Sequence, residues 1–436
     1  MYRIDRLTGR EILDSRGRPT VLARCELAGG AHATCSVPSG ASTGAAEALE
    51  LRDGDLQRYR GLGCRRAVGH VNQELNQALA GRPFADQAAL DRALNDLDGT
   101  ANKSRLGANA LLAVSLAFAR AVAVAHRQPL YQHFADLLGQ PLRSLPRPTI
   151  NLFSGGKHAG GQVPIQDVLL VPAAARTMDE ALAMTWAVYQ CAAELIGRKY
   201  QMRALTADEG GLAPPFPSAE AMLEDALSAV SAAGFRPGRD FWLAVDVAAS
   251  HFHRPDGYSW GDRVLSSAAM IDRLAGWLTR YPIVSLEDGL AEDDWAAWPE
   301  LRRRAAGRAL ILGDDLLCTN PGRIRRAIAA EAADALLLKV NQIGTLSEAA
   351  EALRLARAAG WRVTVSARSG ETEDDWLADL AVGWRGDQIK IGSLTRSERL
   401  SKYNRLLAIE GATHLPLVDW PGDEATPSGE ARPTPR

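Results

Sequence analysis

Residues 335–341 read Ala-Leu-Leu-Leu-Lys-Val-Asn, "ALLLKVN", an apolar run that ends in a lysine. The run has the length and composition of a buried strand, and an ammonium within it is costly to bury without partners. The same design recurs along the second half of the chain. "WLAVD" ends at Asp246, "IVSLED" at Glu287 and Asp288, "LILGDD" at Asp314 and Asp315, "VTVSARS" at Arg368 and Ser369, and "QIKIGS" carries Lys390. From Asp246 the steps to Glu287, Asp314, Lys339, Ser366 and Lys390 are 41, 27, 25, 27 and 24 residues, each enough for a strand, a helix and two loops. In a (β/α)8 barrel the strand C-termini converge on one face, so these charges would meet in one site. A single acid at a strand end is ordinary turn or cap chemistry; six charged ends in register are not.

Composition restricts what such a site could serve. The 436 residues carry a net charge of −2, which gives no reason to expect nucleic acid or an anionic membrane as partner. No apolar run is expected to reach the eighteen or so residues of a membrane helix, and the N-terminus "MYRIDRLTGREILDSRG" is too charged for a signal peptide, so a cytoplasmic location is expected. The five cysteines lack ligand spacing and read as reduced, mostly buried thiols. Of the 50 basic residues only six are lysine. Where arginine serves, this chain uses arginine, so a remaining lysine tends to need a compact ammonium that can lose its proton. Lys339 and Lys390 fit that reading, while Lys103, Lys199 and Lys402 read as chance retentions on solvated faces.

Three parts are expected: residues 1–138 as an α+β capping domain, 139–418 as a barrel with the active site, and a disordered Pro-rich tail at 419–436. The proline-punctuated "QPLRSLPRPT" at 140–149 reads as a linker. At the convergent strand ends, Asp246, Glu287 and Asp314 are hard oxygen donors suited to Mg²⁺. A metal-held carboxylate beside a lysine of depressed pKa is a device for removing the proton α to that carboxylate, since the metal stabilises the enolate.

Ten ordered stretches resemble the enolase family over residues 1–412: "GREILDSRGRPTV", "VPSGASTGAAEALELRDGD", "LDGTANKSRLGANALL", "ADEGGLAP", "DVAAS", "PIVSLEDGLAEDDW", "GDDLLCTNP", "LLLKVNQIGTLSEA", "SGETED" and "RSERLSKYNRLL". The resemblance implies a ββαα(βα)6 barrel capped by an N-terminal α+β domain, a homodimer, two Mg²⁺ ions and a 2-phosphoglycerate-like substrate, with the lysine-and-magnesium chemistry of the superfamily. It implies Asp246, Glu287 and Asp314 as metal ligands, with Ser42 as the lid residue of a second metal. Lys339 would be the base, Glu209 the acid at the departing hydroxyl, and Lys390 a contact to the substrate carboxylate. Arg368 and Ser369 would clamp phosphate, and His158, Gln166 and Asp167 would lie near substrate.

Two loops depart from the family pattern. The stretch "VSARSGETED" at 365–374 has Ala367 where the family reads "SHRSGETED", and "SGGKHAGGQVP" at 154–164 has Lys157 where the family reads approximately "NGGSHADNN". One change removes an imidazole beside the phosphate clamp and the other adds a cation. The pattern resembles what is expected of carboxyphosphonoenolpyruvate synthase, a branch of the family that joins nucleotide-activated phosphonoformate to a phosphoglycerate-derived enol. An ordinary phosphopyruvate hydratase is the alternative, and a non-enzymatic scaffold a third reading that intact Lys339 and Lys390 weigh against.

Overall fold

The computed structural model describes residues 1–40 and 44–421. Tyr2–Leu13 and Pro19–Leu27 form an antiparallel hairpin. Its turn is fixed by Asp14, whose Oδ1 accepts the backbone N–H groups of Arg16 (2.8 Å) and Arg18 (2.9 Å). His32–Ser36 and Pro83–Phe84 complete a four-stranded sheet, with the hairpin strands in the middle. Alternate residues Val21, Ala23, Cys25 and Leu27 are buried on one face, and helix Ala108–Ala125 packs against that strand and the next. This helix corrects the expectation of no membrane-length apolar run: it has 18 residues at mean hydropathy 1.8, but 83% of it is buried inside the protein. Its apolar circumference faces sheet and neighbouring helices, as in any fully enclosed core helix.

The second half closes into an eight-stranded barrel: Arg147–Ser154, Asp167–Val171, Trp242–Asp246, Ile283–Glu287, Leu310–Gly313, Ala335–Leu338, Arg362–Ser366 and Gln388–Lys390. The second strand runs antiparallel to both neighbours and all other pairings are parallel. Two helices, Met178–Lys199 and Ala219–Ala232, follow the opening pair, and six strand–helix units follow them. This is the expected ββαα(βα)6 arrangement. The linker expected at 140–149 is shorter than its prolines suggest. Its last three residues already form barrel strand, and the buried Arg147 guanidinium donates to the carbonyls of Pro172 (2.9 Å), Ala175 (2.6 Å) and Val418 (2.8 Å).

The two domains meet at the barrel mouth along the loop that follows the seventh strand. Ser39 and Gly370 exchange backbone hydrogen bonds (2.8 and 3.0 Å), Ser15 N–H donates to the Glu371 carbonyl (2.7 Å), and Arg120 pairs with Asp374 (2.6 Å). Gly370 is required there, because a Cβ would come within 2.4 Å of Arg16 Nη2 and Asp14 Oδ2. Trp420 is buried against Leu169, Val171, Ala244 and Val284, so ordered chain continues past residue 418. The rest of the expected tail, 422–436, lies outside the described residues, as does the lid residue Ser42.

Candidate active site

Strand register places the charges. The third and fourth strands pair Asp246 with Glu287, and because the second strand runs backwards, its first residue Asp167 stands opposite both Asp246 and Ser154. Lys390, at the end of the eighth strand, reaches across the mouth to Asp246 Oδ2 (2.8 Å) and both oxygens of Glu287 (2.8 Å each). Lys339 pairs with Asp314 Oδ2, while Gln342 Nε2 donates to Asp314 Oδ1 (2.8 Å). Gln166 Nε2 donates to Asp246 Oδ2 (3.1 Å). Asp167, fully buried, accepts from Asn151 (2.7 Å), from Ser154 (2.8 Å) and from His158 Nδ1 (3.1 Å). Glu209 comes within 4.8 Å of both His158 and Asp167.

Burial and charge oppose each other at Lys390, Lys339, His158 and Glu209, whereas at Glu287 burial and the adjacent Asp246 carboxylate together push the carboxyl well above its usual range. Burial favours neutral Lys390, but Asp246 and Glu287 outweigh it and hold the ammonium protonated, with a pKa well above the usual lysine value. Lys339 is pushed down by burial and up by Asp314, and the net direction is up. The depressed pKa expected of a base is thus not present in this arrangement, because the carboxylate beside it stabilises the ammonium. His158 follows the same logic: burial lowers it, the Asp167 carboxylate raises it, and the result is about 9. Glu209 is kept ionised against burial by the charges of His158, Arg399 and Lys390.

The phosphate-clamp candidates lie on the seam with the N-terminal domain. Arg368 is buried and grips Glu47 with both terminal nitrogens (3.0 and 3.1 Å), with Asn341 Oδ1 at 3.0 Å. Ser369 Oγ accepts from Arg16 (3.2 Å). Ala367 is only 6% exposed, and its N–H donates to the Lys390 carbonyl (2.8 Å). Lys157 is exposed on the Gly156–Ala159 turn beside His158. The predicted site residues that are described therefore gather at one mouth.

Two family models cover this arrangement: "Enolase, N-terminal domain" matches residues 4–134 and "Enolase, C-terminal TIM barrel domain" matches 142–416. The chain belongs to the enolase family. The fold is an enolase-type barrel with its N-terminal domain, and the family implies an enzyme. Members typically use Mg²⁺, and the donor set at this mouth fits that ion: buried carboxylate oxygens from adjacent strand ends, with no thiol among them. Among the described residues, two sets of three donors are close-set. The groups whose oxygens and nitrogens lie within 4.8 Å of one another are His158/Asp167/Glu209 and Asp288/Asp314/Asp315 rather than Asp246/Glu287/Asp314. Lys390 lies between the first two carboxylates of the expected trio, and Lys339 engages the third.

Several supports of this enolase mouth escaped the sequence reading, which placed Asp288 at a strand end but not its contacts. Asp288 sits at φ 42 and its carboxylate accepts the backbone N–H groups of Asp314 (2.9 Å) and Asp315 (2.7 Å), locking one strand end to the next. Arg399, fully buried, donates to the carbonyls of Arg368, Ser369 and Ile391 (2.7 to 2.9 Å). Lys103 and Lys402 are not on solvated faces as expected. Lys103 is buried with Glu348 at 2.7 Å, and Lys402 is fully buried against Glu371 (3.1 Å) and the carbonyls of Thr372 and Glu398. Lys402 and Arg399 share one face of helix Ser397–Thr413, three residues apart, and that spacing was a signal available in the sequence.

Proposed function

We propose that this enolase-family protein abstracts the α-proton of 2-phosphoglycerate, or a closely related phospho-acid, with Lys339, and that its reaction has diverged toward joining nucleotide-activated phosphonoformate to the resulting enol. The reading rests on one observation. Carboxylates and lysines at the strand ends face one mouth, with Lys390 bonded to Asp246 and Glu287 and Lys339 to Asp314, while the two departures from the family pattern, Ala367 and Lys157, fall on loops at the same mouth.

Magnesium held by Asp246, Glu287 and Asp314 would supply the positive charge that makes an enolate accessible, and would compete with Lys339 for Asp314. Lys339 Nζ, freed as an amine, accepts the proton from C2. Lys390 stays an ammonium and orients the substrate carboxylate, whose charge grows as C2 rehybridises. Arg368 exchanges Glu47 for the substrate phosphate, a trade its planar fork suits. Glu209, ionised beside His158, would have to gain a proton before it could assist departure of the 3-hydroxyl. That requirement favours a slow dehydration, and the small Ala367 side chain favours a second, bulkier anion near the phosphate. Ordinary hydratase activity is the second reading, supported by the retained lysines and carboxylates.

The test follows phosphorus-31 signals of purified protein with Mg²⁺ and 2-phosphoglycerate, alone and with nucleotide-activated phosphonoformate. A new phosphorus species formed only with both substrates is expected. Rapid phosphoenolpyruvate formation from 2-phosphoglycerate alone, with no new species when both are present, would overturn the proposal in favour of a hydratase.

A further inference from the structure

Glu47 is a carboxylate at this mouth that the mechanism displaces without giving it a role. It enters the seam from the N-terminal domain, with its side chain 6% exposed and that of Arg368 3%. Its two oxygens meet the two terminal nitrogens of Arg368 at 3.0 and 3.1 Å, the flat two-point grip that a guanidinium also offers a phosphoryl group. With that face filled, a phosphate cannot gain the same grip until Glu47 leaves, because two anions on one face would repel at close range. Desolvation offsets most of the attraction within a buried pair of this kind, so the contact is suited to exchange.

Glu47 holds more than Arg368. Its Oε1 accepts the Gly44 N–H (3.1 Å), and its own N–H donates to the Gly44 carbonyl (3.1 Å), which closes a turn. The same Oε1 lies 3.4 Å from Gln342 Nε2, a nitrogen that also donates to Asp314 Oδ1 (2.8 Å). The other oxygen of Asp314 pairs with Lys339. Gln342 Oε1 accepts from Thr319 Oγ1 (2.8 Å), which in turn accepts the Lys339 backbone N–H (2.9 Å). Direct contacts therefore run without a break from Arg368 through Glu47, Gln342 and Asp314 to Lys339.

We propose that Glu47 is a positioning residue that stands in for the substrate phosphate on Arg368. An arriving phosphate dianion displaces it, loosens the Gly44–Glu47 turn and leaves Gln342 to Asp314 alone. The inference rests on Arg368 as the phosphate clamp of the proposed function and adds to it an internal competitor. Two consequences follow from the contacts. Phosphate binds more weakly than the clamp itself would allow, and its arrival reaches the Asp314–Lys339 pair through Gln342.

The experiment measures inorganic phosphate binding calorimetrically to the full chain, for wild type and Glu47→Gln, together with amide hydrogen exchange of wild type with and without phosphate. Glu47→Gln keeps the shape and removes the competing charge, so it is expected to bind phosphate about 10-fold more tightly. In wild type, saturating phosphate is expected to speed exchange of the Gly44 and Glu47 amides about five-fold or more, with the Pro19–Leu27 strand unchanged. A carboxylate that merely fixed Arg368 in place would give the opposite pattern. Weaker or equal phosphate binding in Glu47→Gln, slower or unaltered exchange in wild type, or no phosphate binding to either protein would overturn the proposal. The exchange measurement on wild type decides alone if Glu47→Gln folds poorly. Tighter phosphate binding and a loosened turn, without any enolisation of 2-phosphoglycerate, would support the stand-in and sink the proposed reaction.

Discussion

The two sides of the barrel mouth are held by different physics. On one side Asp246, Glu287, Asp314, Lys339 and Lys390 stand at or beside the ends of parallel strands, positioned by the hydrogen-bonded register and cross-linked through the two ammonium groups. On the other, Lys157, His158, Ala367 and Arg368 lie on loops, and the side-chain partners of His158 and Arg368, Asp167 for the first and Glu47 with Asn341 for the second, are not set by strand pairing of their own segments. A change at any strand-side charge leaves a buried charge without its partner; on the loop side that holds for His158 and Arg368, whereas Lys157 is exposed and Ala367 carries no charge. Chemistry that all members of such a fold share belongs on the first side, and a new substrate is most readily admitted on the second.

Substitutions on each side sharpen this contrast, beginning with the largest expected effect. Lys339→Ala removes the proposed base and is expected to lower turnover about 10³-fold, while circular dichroism and gel filtration remain those of a folded protein; residual activity within ten-fold of wild type would break the assignment. Lys390→Ala leaves Asp246 and Glu287 buried and adjacent without a counter-charge. It is expected to cost about 3 kcal/mol without metal, and saturating Mg²⁺ should recover part of that in thermal melts. On the loop side the effects shrink. His158, at about 9 in the folded protein against an ordinary 6.5, contributes stability that is complete below pH 6.5 and lost as pH rises through 9. Proteolysis of the 155–164 loop should therefore accelerate between pH 7 and 10, by an amount worth about 2 kcal/mol, and His158→Gln should remove that dependence. Smallest of all, Ala367→His is expected to lower the coupling rate by about 10-fold or less, as steric overpacking worth about 1 kcal/mol, and to leave 2-phosphoglycerate dehydration slow.

The same division explains what could be read before the fold was known. Strand-end charges announce themselves because an apolar run must stop where a charge begins, and a parallel barrel gathers those stops on one face. Asp167 was legible only through family resemblance, since nothing in "QDVLLV" reveals that its strand runs backwards and so presents its first residue to the site. Glu47 reaches Arg368 from a loop 321 positions away, Gln342 and Asp288 act from turns, and Lys402 acts from a helix. No local period marks such pairings. The rule that spare lysines sit on solvated faces failed at Lys103 and Lys402 because each meets its carboxylate only in the folded chain.

The central claim is that enolisation is kept on the strand side while the ordinary outcome of the enolate has been given up on the loop side. The most direct measurement is the exchange of the C2 proton of 2-phosphoglycerate with solvent deuterium, in Mg²⁺ and without a second substrate, compared with phosphoenolpyruvate formation in the same tube. The account predicts exchange, abolished in Lys339→Ala, that outpaces phosphoenolpyruvate formation at least ten-fold. Absence of exchange, or phosphoenolpyruvate appearing as fast as deuterium enters, would contradict it.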